Sequence, residues 1–293
     1  MRWQELAVTC SCRASEAVAA ILHQATSGIV VEDSPHQVTY KAYVPEGPQL
    51  EQFSSDLAAK LASLPAILLE EGAPAVSRSW VEEEDWAESW KAYYVPMRVG
   101  RTLVIKPSWQ AWPPAEDPAA ARPDDLIIEL DPGMAFGTGA HATTRLCLIA
   151  LEDWVRPGVE VMDLGCGSGI LSVAALKLGA AHVLAIDADP LAMEATRANC
   201  ERNHVQGCEV CLHEGLEDLN GQWDVVVANI SAAVIMAQTL PVAQRLSPGG
   251  LFICSGFYVG HDEEIADLLE EHGFELLRRE EMEMWSCLTG RKR

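Results

Sequence analysis

The hydrophobic positions in the N-terminal part of the chain follow two periods in turn. Apolar residues recur at every second position, as in half-buried strands, over 3–9, 28–32, 38–44 and 75–81. They recur at every third or fourth position, as in amphipathic helices, over 15–25 and 51–64. The resulting order βαββαβ predicts a small α+β domain of the ferredoxin-like type.

The pattern changes at residue 126. Strand-like runs then alternate with helix-like runs, and the strands are expected at 160–164, 182–187, 208–212, 223–229 and 250–255. The helices are expected to begin at Thr143, Gly169, Asp189, Ser231 and Asp262. This alternation predicts βαβ units, and two last strand-like segments, 274–279 and 284–290, predict an antiparallel pair. The expected fold class is α/β, with a Rossmann-like doubly wound sheet that carries an antiparallel end strand.

Between these two regions the chain has no steady period. Residues 82–95 predict a short acidic helix with Trp86 and Trp90 on one face. A strand is expected at 102–106, and the Pro-, Ala- and Asp-rich stretch 113–125 is typical of a connecting loop. We therefore predict three parts: an N-terminal domain (1–84), a linker helix and connecting segment (85–122), and a C-terminal domain (123–293).

The chain is strongly acidic, since 43 Asp and Glu against 21 Lys and Arg give a formal net charge of −22. A protein that binds nucleic acid through its phosphates needs positively charged surface, so direct nucleic-acid binding is not expected. A basic protein partner would be attracted at long range, although the charge can equally serve solubility alone. No apolar run is long enough to span a bilayer, and the N-terminus lacks signal-peptide features. We expect a cytoplasmic monomer that does not contact membranes.

The nine cysteines are scattered through apolar segments, which is typical of reduced, mostly buried thiols. One cluster has an alternative interpretation as a metal site. Cys208 and Cys211 form a C-x-x-C pair with His204 and His213 nearby, as in some zinc sites. The sequence offers no second C-x-x-C to complete such a site, so core thiols are the better interpretation and no metal is expected.

A glycine-rich loop, Asp163-Leu-Gly-Cys-Gly-Ser-Gly169, lies between a predicted strand and a predicted helix. Glycines there let the backbone turn sharply and let a ligand come close. The dinucleotide-binding fingerprint has its third glycine three positions after the second, where this chain has Ile170. Asp163 can meet the charged amino-acid end of a ligand, and Asp187 at the end of the next strand suits a ribose diol. The pattern resembles class I S-adenosylmethionine-dependent methyltransferases more than nicotinamide dehydrogenases.

A second loop, residues 130–144 (LDPGMAFGTGAHATT), narrows the family. It is expected to lead into a helix capped by Thr143 or Thr144, and its glycines and phenylalanine suit a loop that folds over a cofactor. It closely resembles the bacterial methyltransferases of ribosomal protein L11, which modify lysine and N-terminal amines. The resemblance extends over essentially the whole chain, through Trp86 and Trp90 and the motifs PMR, KPSW, DLGCGSGIL, AIDADP, VVANI and WSCLTGR.

The resemblance implies a cofactor site and a role for each domain. The residues expected to contact S-adenosylmethionine are Thr144, Gly165, Asp187 and Asn229, with Phe136 and Gly167 nearby. Domain 123–293 is then the methyltransferase domain, and domain 1–84 recognises the ribosomal protein and swings relative to it. Departures from the family pattern at Ala140, Ala142 and 255–258 involve none of the four contacts, although they bear on local substrate preference.

Asn229 is the predicted catalytic residue. It ends a strand where amine-methylating enzymes hold their nucleophile, and Ile-Ser follows it rather than the Pro-Pro-Tyr of enzymes that methylate planar amides or adenine. The expected acceptors are therefore amines of ribosomal protein L11. His141 is as readily a local hydrogen-bonding residue as a general base. Two alternatives stay open: a methyltransferase for another substrate, which would have little use for the N-terminal domain, and a binding protein without turnover.

Overall fold

The computed structural model describes residues 2–23, 29–34, 37–47, 49–69, 72–82, 94–115, 117–131, 139–216, 219 and 221–293. Residues 83–93 of the predicted acidic helix, which include Trp86 and Trp90, lie outside these ranges, and so does Phe136. Internal packing divides the chain into two units, Met1–Tyr94 and Val95–Arg293. Within the described ranges, no helix is both long enough and apolar enough to cross a membrane.

The N-terminal unit contains a four-stranded antiparallel sheet. Its elements are β1 (Arg2–Ser11), α1 (Cys12–His23), β2 (Ile29–Ser34), β3 (Gln37–Pro45), α2 (Gln49–Ala62), a 3₁₀ turn (Ala66–Leu69) and β4 (Ala75–Glu82). The strands are ordered β2-β3-β1-β4. The element order βαββαβ predicted from the hydrophobic periods is confirmed, with most limits shifted by one to three residues.

Alternation along the strands gives this unit a hydrophobic core of its own. Leu6 and Val8 on β1 lie on the same face of the sheet as Tyr40 on β3, and all three are at most 3% exposed. The helix α1 packs on β1 and β3 and contributes the fully buried Val18 and Leu22. Each large aliphatic side chain buried in this way contributes about 1.5–3 kcal/mol. The N-terminal unit therefore has a hydrophobic core that stabilises its own sheet.

A three-stranded sheet begins the second unit. It contains β5 (Met97–Val99), β6 (Leu103–Lys106) and β7 (Leu126–Glu129), with β5 antiparallel and β7 parallel to β6. Only β6 is predicted from the sequence; β5 and β7 are strands by virtue of their pairing with β6. The connection from β6 to β7 is mostly loop, as predicted, with one 3₁₀ turn at Pro118–Ala120.

The central sheet of the second unit confirms the predicted α/β fold. Its strands are β8 (Glu160–Leu164), β9 (His182–Asp187), β10 (Cys208–Leu212), β11 (Trp223–Asn229), β12 (Leu246–Tyr258), β13 (Phe274–Met282) and β14 (Trp285–Lys292). The helices among them are α3 (Ala142–Trp154), α4 (Ile170–Lys177), α5 (Pro190–Arg202), α6 (Ala232–Arg245) and α7 (Asp262–Glu271), with a 3₁₀ turn at Val259–His261. The order is β10-β9-β8-β11-β12-β14-β13. The first five strands are parallel, and β14 is antiparallel to both its neighbours.

The strand order places a crevice between β8 and β11. β9 and β10 lie on one side of β8, whereas β11 and β12 lie on the other. In open α/β sheets, ligands bind at such a point, beyond the carboxyl ends of the strands. The glycine loop 165–169 follows β8, and Asn229 ends β11. The two sequence motifs that point to a site therefore meet at this crevice.

Glu152 attaches the small sheet to α3. Its carboxylate accepts hydrogen bonds from Arg101 N (2.7 Å), Thr102 N (2.5 Å) and Thr102 Oγ1 (2.6 Å), in the turn between β5 and β6. Burial raises the pKa of Glu152, but the hydrogen bonds from Thr102 and Arg101 outweigh it and hold the pKa below its usual value. An acid with a lowered pKa stabilises the fold above its unfolded-state pKa and loses that effect as the pH falls.

Glu152→Gln is expected to lower the free energy of unfolding by about 2 kcal/mol at pH 7, because an ionised acceptor of three hydrogen bonds becomes a neutral amide. Denaturant titration against wild type measures the difference, with the exposed Glu201→Gln on α5 as the matched control. The difference should shrink as the pH falls below the unfolded-state pKa of glutamate, about 4.3, and through the lowered pKa of folded Glu152. Equal stability of Glu152→Gln and wild type at pH 7 would contradict the assignment.

Candidate cofactor and active site

The glycine loop after β8 is packed too closely to accept side chains. Gly165 and Gly169 have φ values of +76° and +77°, in the left-handed region that favours glycine. A Cβ at Gly165 would lie 2.3 Å from Cγ2 of Ile230, and one at Gly169 would lie 2.9 Å from Cα of Thr196. Only glycine therefore fits at these two positions, and the loop is further held by hydrogen bonds from Gly165 N and Cys166 N to Ile186 O.

Helix α5 fixes the loop from the other side. Thr196 Oγ1 donates to Gly167 O at 3.1 Å, and Asn199 Nδ2 donates to Ser168 O at 2.8 Å. Both side chains are buried, Thr196 completely. These two residues were not predicted from the sequence. Their only signal there is that two polar residues, three positions apart, lie on the face of α5 that is expected to be buried.

Asp187, at the end of β9, also binds the loop backbone. Its Oδ2 accepts from Gly167 N and its Oδ1 from Asp189 N, both at 2.9 Å. Each carboxylate oxygen has a second lone pair for a ligand hydroxyl. The structure thus brings two of the predicted residues, Asp187 and Gly167, into direct contact, and it gives Asp187 a second role in holding the loop.

Asn229 and Thr144 form the opposite wall of the crevice. Asn229 Nδ2 donates to Thr144 Oγ1 at 3.2 Å, while Asn229 Oδ1 is buried and has no hydrogen-bond partner among the described residues. Thr144 lies in the first turn of α3. The helix cap differs from the prediction, because His141 is the N-cap and its Nδ1 accepts from Thr143 N. The sequence left two roles open for His141, local hydrogen bonding and proton transfer. This hydrogen bond supports the first.

Asp163 lies completely buried on β8, beneath the glycine loop. Its Oδ2 accepts from Ser172 Oγ at 2.6 Å, and its Oδ1 has no hydrogen-bond partner in the described part of the chain. Burial raises the pKa of Asp163 to about 7; the Ser172 hydrogen bond opposes this rise and the negative charge of Asp187 adds to it. Ser172, on α4, was not found from the sequence.

An aromatic group lies at the same end of the sheet. Trp285 at the start of β14 stacks on Tyr258 at the end of β12, with ring centroids 4.0 Å apart, and His141 meets the indole edge-on at 4.6 Å. Trp285 and Tyr258 are 6% and 8% exposed. His141 begins the helix that carries Thr144, so the aromatic group is linked to that helix through the His141–Trp285 contact.

These residues fit a ligand that carries several donors and a positive charge. Asn229 Oδ1 and Asp163 Oδ1 are buried acceptors without partners among the described residues, and such atoms are rare unless a ligand or water satisfies them. Both residues end or lie on strands at the edge of the crevice, next to the glycine loop. The ammonium and hydroxyl groups of S-adenosylmethionine match these acceptors.

The arrangement of the described residues gives no comparable support for a metal-binding site. Among the described residues, no group of three or more His, Cys, Asp or Glu side chains is arranged to hold a metal ion. All nine cysteines are free thiols, and Cys208 and Cys211 are half-buried on the edge strand β10. Phe136, predicted near the cofactor, falls outside the described ranges.

Comparison with known proteins identifies the family. The family profile described as "Ribosomal protein L11 methyltransferase (PrmA)" matches residues 2–293. A ribosomal protein L11 methyltransferase of Pelotomaculum thermopropionicum is 42% identical over 99% of both chains. One of Bacillus cytotoxicus is 38% identical over 98% of both. A crystal structure of ribosomal protein L11 methylase from Lactobacillus delbrueckii subsp. bulgaricus aligns with a TM-score of 0.62 and 33% identity, over 68% of this chain and 100% of that one. The chain therefore belongs to the ribosomal protein L11 methyltransferase family and uses S-adenosylmethionine as its cofactor.

Proposed function

We propose that this protein transfers methyl groups from S-adenosylmethionine to lysine and N-terminal amines of ribosomal protein L11. The observation that carries the proposal is the Asn229 carboxamide. Its nitrogen is held by Thr144, so its unpartnered oxygen can accept a hydrogen bond from an incoming amine. The relatives that this chain matches over nearly their whole length are named for the same ribosomal protein.

Transfer to an amine requires its neutral form. The nitrogen lone pair forms a bond to the methyl carbon while the carbon–sulfur bond breaks, and the methylated amine then loses its proton to solvent. A free lysine amine has a pKa near 10.4, so presenting it neutral at pH 7 costs about 4.6 kcal/mol, at about 1.36 kcal/mol per pKa unit. A surface that strips water from the ammonium lowers this cost. The stacked Trp285 and Tyr258 supply such a surface at the same end of the sheet as Asn229.

The cofactor supplies an activated methyl group on a sulfonium, and the chain's own residues hold it in place. In our proposal Thr144, Gly165, Asp187 and Asn229 contact the cofactor, with Phe136 and Gly167 nearby. Asp187 accepts from the ribose hydroxyls with its remaining lone pairs, the loop amides face the amino-acid end, and Asn229 serves as the catalytic residue that orients the amine. Orientation of this kind supplies much of the rate enhancement in reactions of two bound partners.

Asp187→Ala is expected to raise the Kd for S-adenosylmethionine roughly 30- to 100-fold, equivalent to about 2–3 kcal/mol. The change removes a charged acceptor and leaves the Gly167 amide unpaired, and each loss costs about 1–3 kcal/mol. Isothermal titration calorimetry measures the Kd directly. Glu201→Gln, exposed at the far end of α5, is the control and should bind like wild type. Equal affinity of Asp187→Ala and wild type would refute the role of Asp187.

The N-terminal unit completes the proposal. We infer that it is a ferredoxin-like substrate-recognition domain, within the boundaries 1–84, followed by a linker helix and connecting segment at 85–122 and the catalytic domain at 123–293. The antiparallel order β2-β3-β1-β4 supports the fold, and the net charge of −22 suits a basic ribosomal protein. We further propose a cytoplasmic monomer that acts on the protein without binding nucleic acid directly.

Peptide mass mapping tests which groups accept the methyl. Ribosomal protein L11 would be incubated in four forms: unmodified, with its N-terminus acetylated, with its lysines replaced by arginine, and fully blocked by both changes. We expect methylation to disappear at each blocked amine and to persist at the others. Methyl groups on glutamine, arginine or histidine side chains, or methylation of the fully blocked protein, would overturn the amine assignment and leave the family assignment intact.

A further inference from the structure

Asp163 is a buried carboxyl group without a neutralising partner. Its carboxyl is completely buried on β8, two residues before Gly165. Ser172 Oγ donates to Oδ2 at 2.6 Å, and no other side chain in the described part of the chain donates to it. Burial of an ionised carboxylate is unfavourable unless a cation or several donors compensate it. The hydroxyl and backbone amide of Ser172 are a small compensation for a full charge.

The groups that interact electrostatically with Asp163 in the described part of the chain do not compensate its charge either. They are acidic or neutral: Asp187 on β9, Cys166 in the glycine loop, Ser172 on α4, Cys147 on α3, Cys200 on α5 and Cys208 on β10. Among the described residues, no Lys, Arg or His forms an ion pair with Asp163, although such pairs occur elsewhere in the same unit. Burial is the main cause that raises the pKa of Asp163 to about 7, with Ser172 opposing and Asp187 adding to it.

We propose that Asp163 holds a proton in the free protein and releases it to solvent when S-adenosylmethionine binds. The O–H bond breaks, its electron pair stays on the carboxylate oxygen, and the proton passes to the buffer. The cofactor brings the missing positive charge, as a sulfonium and an ammonium, and an opposite charge within about 4–6 Å favours the ionised acid. The proposal concerns cofactor binding alone and does not depend on the methyl acceptor.

Coupling of this kind makes cofactor affinity depend on pH. When binding requires loss of a proton, the Kd rises about tenfold for each pH unit below the pKa of the free protein and levels off above it. The proton count is the more specific measurement. With a pKa of about 7 for Asp163, wild type should release about 0.8 proton per cofactor at pH 6.5 and about 0.1 at pH 8.

Isothermal titration calorimetry in two buffers of different ionisation enthalpy counts these protons. Asp163→Asn is expected to release no proton from residue 163. The cofactor's own amine, whose pKa is about 7.7–8.0, exchanges protons equally in wild type and in this variant. The difference between the two proteins therefore isolates Asp163. Ser172→Ala removes the hydroxyl that favours the ionised carboxylate of Asp163. Proton release by this variant on cofactor binding should therefore persist to a pH about one unit higher than in wild type.

The outcomes separate this inference from the proposed function. Release at pH 6.5 that is lost in Asp163→Asn, or moved to higher pH in Ser172→Ala, supports it. Equal release by wild type at pH 6.5 and pH 8 after correction for the cofactor amine overturns it, as does unchanged release in Asp163→Asn. If Asp163→Asn does not fold, the shift in Ser172→Ala decides alone. Methylation of ribosomal protein L11 can succeed or fail with either result.

Discussion

Removal of the N-terminal unit should reduce methylation of ribosomal protein L11 by roughly 10³-fold and leave cofactor binding intact. Docking of a substrate on a linked domain raises the effective concentration of its amines at the active site, and such linkage is worth about 10²–10⁴. The four proposed cofactor contacts, Thr144, Gly165, Asp187 and Asn229, all lie in Val95–Arg293, which has its own core. Their affinity for S-adenosylmethionine should therefore change by less than about twofold.

The measurement compares residues 95–293 with the full chain for cofactor Kd and for the rate of methyl transfer. An unchanged Kd shows that the shortened protein is folded, so it serves as the internal control. A shortened protein that methylates ribosomal protein L11 as fast as the full chain would show that the N-terminal unit does not recognise the substrate. It would also favour the alternative of a methyltransferase acting on a smaller molecule.

Asn229→Ala should lower kcat for methyl transfer by about 10²- to 10³-fold. Loss of one oriented polar group that contacts the reacting atoms costs about this much in other enzymes. Here the change removes the unpartnered Oδ1 that is proposed to hold the amine, together with the hydrogen bond to Thr144. Single-turnover kinetics at saturating cofactor separates the loss in kcat from a weaker Kd.

Thr144→Val is the matched control for Asn229. It removes the hydroxyl that fixes the carboxamide but leaves Asn229 Oδ1 in the site, so a loss of only about tenfold is expected. An unchanged kcat in Asn229→Ala at saturating cofactor would show that the carboxamide serves binding alone. The amine would then have to be oriented by other groups, such as backbone carbonyls near the end of β11.

The sequence predicts the central sheet well because its strands are bounded by turns and its inner strands β8, β9 and β11 are largely buried apolar runs. The predicted limits of β8, β9, β10 and β11 coincide with the observed ones. β5 was missed, and β7 was not recognised as a strand, since such short strands are fixed by pairing with β6 rather than by a period of their own. The N-terminal elements were predicted in the correct order because half-buried strands and amphipathic helices each show a clear hydrophobic period.

The site was predicted only in part, because contacts across the sheet leave little trace in a local pattern. Motifs identified Asp187, Gly167, Thr144 and Asn229, and the structure pairs the first two and the last two. Thr196 and Asn199 hydrogen-bond to the glycine loop, and Ser172 hydrogen-bonds to Asp163. Which faces of their helices point at these partners is decided by the tertiary packing. The cap of α3 was wrong because a histidine took the place of the expected threonine hydroxyl.

The most direct test of the central claim is intact-mass spectrometry of ribosomal protein L11 incubated with this protein and S-adenosylmethionine. We predict stepwise increases in mass, one for each methyl group gained, that require both the enzyme and the cofactor. The Asn229→Ala protein should produce far smaller increases in the same time. An unchanged mass despite measurable cofactor binding would contradict the proposed substrate, and a binding protein without turnover would become the better account.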